Sequence, residues 1–199
     1  MIHKNYLELI VLICFRSARE LMEDAELLYG MKRFARSLFL SCIGMEELGK
    51  ASLALRLYES NHEPDLKRFL EFWRDHVSKL AHAYGFWPID PNFLQERAPQ
   101  LTPKPHKNWA EFDKFQREFF GKYAKLTSDL KLKSLYVDIT LKEKGRLAFN
   151  LPSQGIKKAH ARNFIDELSE KIEKFQKKIV GIKPIHLPAY ETGYDELGA

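Results

Sequence analysis

Leu7, Val11, Cys14, Ala18, Leu21, Ala25 and Leu28 recur at alternating spacings of four and three, which predicts a first helix over residues 4–29 with one apolar stripe. After the break YGMKRF a second helix is expected over about 32–59. From Leu38 to Leu57 it is apolar nearly all round, as suits a central helix covered by its neighbours. It ends near ESNHEP, where the residue before Pro64 is pushed out of helical geometry. A third helix enters at Pro64 and Asp65, carries Phe69, Phe72, Trp73, His76, Leu80 and Ala83 on one face, and stops at Tyr84-Gly85. A proline-rich loop from Gly85 to Lys107, packed by Phe86, Trp87 and Phe93, leads to a fourth helix over about 108–131. Trp109, Phe112, Phe119, Tyr123, Leu126 and Leu130 set its register.

The period then changes from helical to alternating. Val137, Ile139 and Leu141, then Leu147, Phe149 and Leu151, flank Lys144-Gly145 and predict a small β-hairpin or extended insert near 135–151. Pro152-Ser153 opens a last helix over about 154–180 with Ile165, Leu168, Ile172, Phe175 and Ile179 on its core stripe. The expected fold is mainly α, a bundle of about five helices with one extended insert. Residues 1–180 form one domain in this reading, and 181–199 an irregular tail.

Composition adds limits. A chain of 199 residues with 45% apolar and 30% charged residues can bury a core without staples. Cys14 and Cys42 lie in apolar helical contexts and form no C-x-x-C pair, which fits a reduced, cytoplasmic protein. No metal site or cofactor is suggested. LELIVLICF is short for a signal core, carries Glu8 and has no small-residue cleavage pattern after it, and no stretch reaches the roughly 18 apolar residues of a membrane span. The net charge of +5 is uneven, since residues 104–183 hold 19 basic and 10 acidic side chains. That excess fits an anionic partner such as RNA, or lysine-rich solvated helix faces.

Candidate chemistry starts where charge interrupts the apolar helix. In GMEELGKAS either Glu46 or Glu47 can reach Lys50, three or four residues on. Glu47 shares its face with Leu40, Ile43, Ala51 and Ala54, and an unpaired buried carboxylate would cost several kcal/mol, so it must be paired or face a polar cleft. His76, on the apolar face of the third helix with Lys79 one turn away, raises the same alternative of a core residue or a site. If Glu47, Lys50, His76 and Lys79 converge, they form a mixed cluster suited to proton transfer or phosphate binding. Tyr136 and Asp138, two apart on an expected strand, either close over that cluster or end the fourth helix. Phosphate-binding glycine loops, G-x-S-x-G and H-E-x-x-H are absent from the sequence, which lowers the weight of triphosphate, serine-hydrolase and metalloprotease chemistry.

Three strings in order carry a resemblance. RELMEDAELLYGMKRFARSLFLSCIGMEELGKASLAL, FWRDHVSKLA and KLKSLYVD resemble the helical hairpin, the H-x-x-K helix and the K-x-x-x-L-Y-V-D segment of AbiV-type abortive infection proteins, a HEPN-like helical class. The resemblance implies a phage-defence protein that arrests translation, with a homodimeric assembly, an RNA target or a phage-encoded activator protein as partners, and no membrane. His76, Lys50, Glu47 and Lys79 are the catalytic set it suggests, with Glu46, Arg74, Tyr136 and Asp138 as binding residues. Many HEPN proteins are metal-independent ribonucleases that carry an arginine and a histidine with four to six residues between them. No arginine stands at that distance before His76, while Arg56 and His62 satisfy it outside the motif helix. Ribonuclease activity is therefore an expectation by class analogy, beside a non-catalytic docking role and a housekeeping role in RNA metabolism.

Overall fold

In the computed structural model residues 4–59, 66–84, 109–136, 138–142, 146–180 and 182 are described. The proline-rich loop, the tail beyond 182, the hairpin turn and His62 lie outside them. The order is α1 (Lys4–Gly30), α2 (Phe34–Glu59), α3 (Leu66–Arg74), α4 (His76–Tyr84), α5 (Trp109–Leu135), β1 (Asp138–Lys142), β2 (Arg146–Asn150), α6 (Pro152–Gly155) and α7 (Lys158–Ile179).

α1 and α2 form an antiparallel hairpin around a tight turn. The N–H of Arg33 donates to Leu28 O at 2.8 Å and that of Lys32 to Tyr29 O at 2.9 Å, with Lys32 at φ 60°. This is the helix-ending turn in which the left-handed residue is usually glycine. α2 is the centre of the bundle. It packs against α1, α4, α5, α6 and α7, and Leu38, Met45, Leu48 and Leu53 on it are fully buried. The expected stripes of the outer helices point to it: Val11, Cys14 and Ala18 from α1, and Ile165, Leu168 and Phe175 from α7, are buried. Phe15 stacks on Phe175 with ring centroids 5.4 Å apart, which ties α1 to α7.

Two expectations change. The single third helix is divided at Asp75, whose Oδ1 accepts from the N–H of Val77 at 3.0 Å and of Ser78 at 3.3 Å. Its Oδ2 accepts from Ser78 Oγ at 2.7 Å. An aspartate in this role starts a helix afresh, so His76 is the first residue of α4 and not a mid-helix core position. The second change concerns α5, whose buried face is Phe120, Ala124, Thr127, Lys131 and Ser134, while Tyr123 and Leu126 are exposed. Small and polar residues on that face let α5 lie close to α2 and α4, and Tyr84 Oη meets Thr127 Oγ1 at 2.5 Å across the contact. The insert is an antiparallel hairpin, with Asp138 opposite Asn150 and Lys142 opposite Arg146.

Candidate functional site

α2, α4 and α5 each send a polar side chain to one point between them. Glu46, on α2, has 4% of its side chain exposed. His76 Nδ1 lies 2.7 Å from its Oε2, Lys79 Nζ lies 3.3 Å from the same oxygen, and Lys131 Nζ donates to Oε1. Lys131 Nζ is also 3.2 Å from His76 Nδ1. A proton must lie in the 2.7 Å contact between ring and carboxylate, so Nδ1 is the donor and in the neutral ring Nε2 keeps the lone pair. The ring is anchored on its inner edge only, since 56% of the His76 side chain is exposed while both lysines are buried.

The main-chain packing that makes this convergence possible is tightest at Gly49. A β-carbon there would stand 1.9 Å from the carbonyl oxygen of Lys79. α4 thus lies directly on the backbone of α2, one turn from Glu46, and brings His76 and Lys79 to it.

Burial alone would push the Glu46 carboxyl up, but hydrogen bonds from Lys131 and His76, with the charges of Lys131 and Lys79, outweigh it and hold the group below its ordinary value of 4.5. A carboxylate lowered on folding contributes stability that is complete above its unfolded value and is lost as pH falls through the lowered one. Unfolding by urea measured from pH 6 down to pH 3 is expected to show wild-type stability declining on the acid side, with a shallower decline in Glu46→Gln. Equal slopes would remove the group from that role.

Glu47 and Lys50 belong to a separate pair. Lys50 Nζ donates to Glu47 Oε1 at 2.6 Å and sits 4.7 Å from the centroid of the Trp73 ring. Cys14 adjoins this pair, its thiol pushed up to about 12 by burial and then by Glu47. The expected convergence of four residues is therefore corrected: His76 and Lys79 do meet, but on Glu46 and not on Glu47 and Lys50. Adjacent helix positions face directions about 100° apart, which separates the two glutamates. Arg74 ends α3 and is exposed. Tyr136 is 60% exposed in the bend after α5 and does not lie on a strand. Asp138 opens β1, and its side chain lies outside the described residues.

Lys131 is the residue the sequence reading passed over. Its signal was its place as the first lysine of K-x-x-x-L-Y-V-D, one and two turns after Thr127 and Ala124 on the buried face of α5. Among the described residues no group of three or more His, Cys, Asp or Glu side chains is placed to hold a metal ion, and no helix is long and apolar enough to cross a membrane.

No curated protein and no solved structure matches the chain. The family model for AbiV, HEPN_AbiV, matches residues 7–172, a span that contains Glu46, His76, Lys79 and Lys131. With a helical bundle around α2 and three ordered motifs on α2, α4 and α5, the chain belongs to the AbiV family of HEPN-like proteins, a membership that points to phage defence by abortive infection.

Proposed function

We propose that this protein arrests translation during phage infection by acting on RNA at the Glu46-centred cluster. The observation that carries the reading is a charge imbalance beside an exposed histidine. Among the described residues Glu46 is the carboxylate that pairs with both Lys79 and Lys131, so two buried cations share one anion and leave a positive excess. A phosphate at the open side, where His76 faces solvent, would balance that excess. The basic second half of the chain supports the same partner.

His76 Nε2 is then the group that takes the proton of a ribose 2′-OH. The oxygen attacks the adjacent phosphorus, the bond to the 5′-oxygen breaks, and that oxygen recovers a proton from the ring. The products are a 2′,3′-cyclic phosphate and a 5′-hydroxyl. Lys79 and Lys131, bonded to Glu46, position the ring and supply field, and Lys50, held by Glu47, stays outside the step. Purified protein incubated with total and transfer RNA is expected to yield such ends, and His76→Ala to slow cleavage about 100-fold or more. Undiminished cleavage by that variant, or wild-type protein that neither cuts nor binds RNA, would sink the RNA reading.

A docking role is favoured by a different observation, the exposed Tyr123 and Leu126 on α5, three residues apart beside half-buried Leu130. A second copy of this chain is the partner assigned to that strip, with a phage-encoded activator protein as the alternative occupant. Sedimentation at micromolar concentration should give a dimer, and Leu126→Asp should shift it toward monomer. A monomer in both cases would remove the second copy from the account.

A further inference from the structure

A cavity of about 420 Å³ opens at the other end of α2, lined by Lys32, Arg33, Phe34, Arg36, Ser134 and Ser153 among others, with no acidic side chain among the described residues that line it. It is distinct from the Glu46 cluster, since Arg36 and Glu46 are ten residues apart, about 15 Å along the helix. The three cations at its mouth are exposed. Among the described residues they have no ion pair, whereas Arg16 pairs with Glu20, Arg19 with Glu23, and Arg162 with Glu26 and Asp166. Phe34, Ala35 and Arg36, the first residues of α2, line the same space, and a helix leaves its first N–H groups without partners within it. Behind the cations the wall is apolar, formed by Phe34, Leu135, Pro152 and Ile156.

We infer that this cavity binds the phosphate monoester of a nucleotide at the end of an RNA strand, the phosphate on Lys32, Arg33 and Arg36 and the base against Phe34, Leu135 and Pro152. A terminal monoester carries about −1.5 to −2 charges, more than an internal diester, and three unpaired cations suit the higher charge. The volume is that of a small-ligand pocket of roughly 300–1,000 Å³, which admits one nucleotide unit but not a continuous strand. The inference rests on the RNA reading above for its ligand, yet uses none of the residues of the Glu46 cluster. A free mononucleotide offers the same phosphate chemistry, and the two sources are separable by experiment.

The test is binding of labelled 2′-O-methyl decamers, which lack the attacking hydroxyl, with a 5′-phosphate, with a 3′-phosphate and with neither, together with AMP and adenosine. The phosphorylated strand is expected to bind at least tenfold more tightly than the bare one, and Arg33→Glu with Arg36→Glu is expected to abolish that difference. Ser153→Trp, which crowds the mouth without changing charge, should do the same, and unaltered melting curves would show both variants folded. AMP binding that exceeds adenosine and is lost in the same variants, with no effect of strand phosphorylation, would overturn the strand-end assignment in favour of the free nucleotide. Strands that bind equally with and without phosphate would overturn the inference while leaving the RNA reading intact. Failure of every strand and of AMP to bind would overturn both.

Discussion

Glu46→Leu is expected to lower stability by about 3–5 kcal/mol, because it strands two buried ammonium groups without a counter-charge. Lys79 and Lys131 are 6% and 7% exposed at the side chain, so water does not replace the lost partner. A loss of that size is a large part of the roughly 5–15 kcal/mol that holds a domain folded. Unfolding by urea reads it directly. Adding Lys79→Met and Lys131→Met to the same chain should return most of the stability, since replacing a whole buried ion cluster by apolar groups of similar volume is often neutral or favourable. Recovery in the triple variant would mean that the cluster is not retained to hold the bundle together, which leaves its chemistry as the reason for it. If Glu46→Leu alone were harmless, the lysines would have to be solvated, and the charge imbalance on which the RNA reading rests would disappear.

The second large effect is expected at Gly49. Alanine there would meet the Lys79 carbonyl oxygen at 1.9 Å and its carbon at 2.7 Å, both main-chain atoms that cannot swing aside. α4 would have to move off α2, at about 3 kcal/mol, the upper part of the range for overpacking. Lys79 and His76 would move with it, so activity should fall as well. Gly44→Ala is the control. Its nearest neighbour is Leu168 Cδ2 at 2.6 Å, the end of a flexible side chain, and alanine gains about 1 kcal/mol of helix propensity. Its net cost should be about 1 kcal/mol or less. Thermal unfolding of the two variants side by side decides the point, and equal melting temperatures would contradict the close α2–α4 approach.

The apolar stripes of α1 and α7 were legible because each has one buried face and one solvated face, and the spacing of Val11, Cys14 and Ala18 or of Ile165, Leu168 and Phe175 follows directly. The hairpin was legible from the alternation of Val137, Ile139 and Leu141, then Leu147, Phe149 and Leu151, about Lys144-Gly145. α2 gave only half its answer. A helix buried on almost every side has no polar face to orient it, so EELGK announced a buried charge without saying which glutamate bears it. The structure chose Glu46, and Glu47 turned to Lys50 and Trp73.

α5 misled for a different reason. Its larger side chains, Tyr123 and Leu126, mark one face as core, yet the buried face carries Ala124, Thr127 and Lys131, whose smaller bulk and polar contacts allow closer packing. Lys131 was hidden by that choice, and with it the third corner of the site. Asp75 also held a readable signal, since an aspartate two and three residues ahead of free N–H groups is a helix start, and it explains why His76 is exposed on its outer edge.

His76 offers the cleanest test of the central claim, that the Glu46 cluster works on a ligand and does not merely dock helices. Its ring is more than half exposed, so His76→Ala should keep the bundle folded. The decisive measurement is phage plating on cells that make wild-type or His76→Ala protein in equal soluble amounts. The variant, melting within a few degrees of wild type, is expected to lose protection and to leave translation running after infection. Full protection by a folded His76→Ala protein would contradict it.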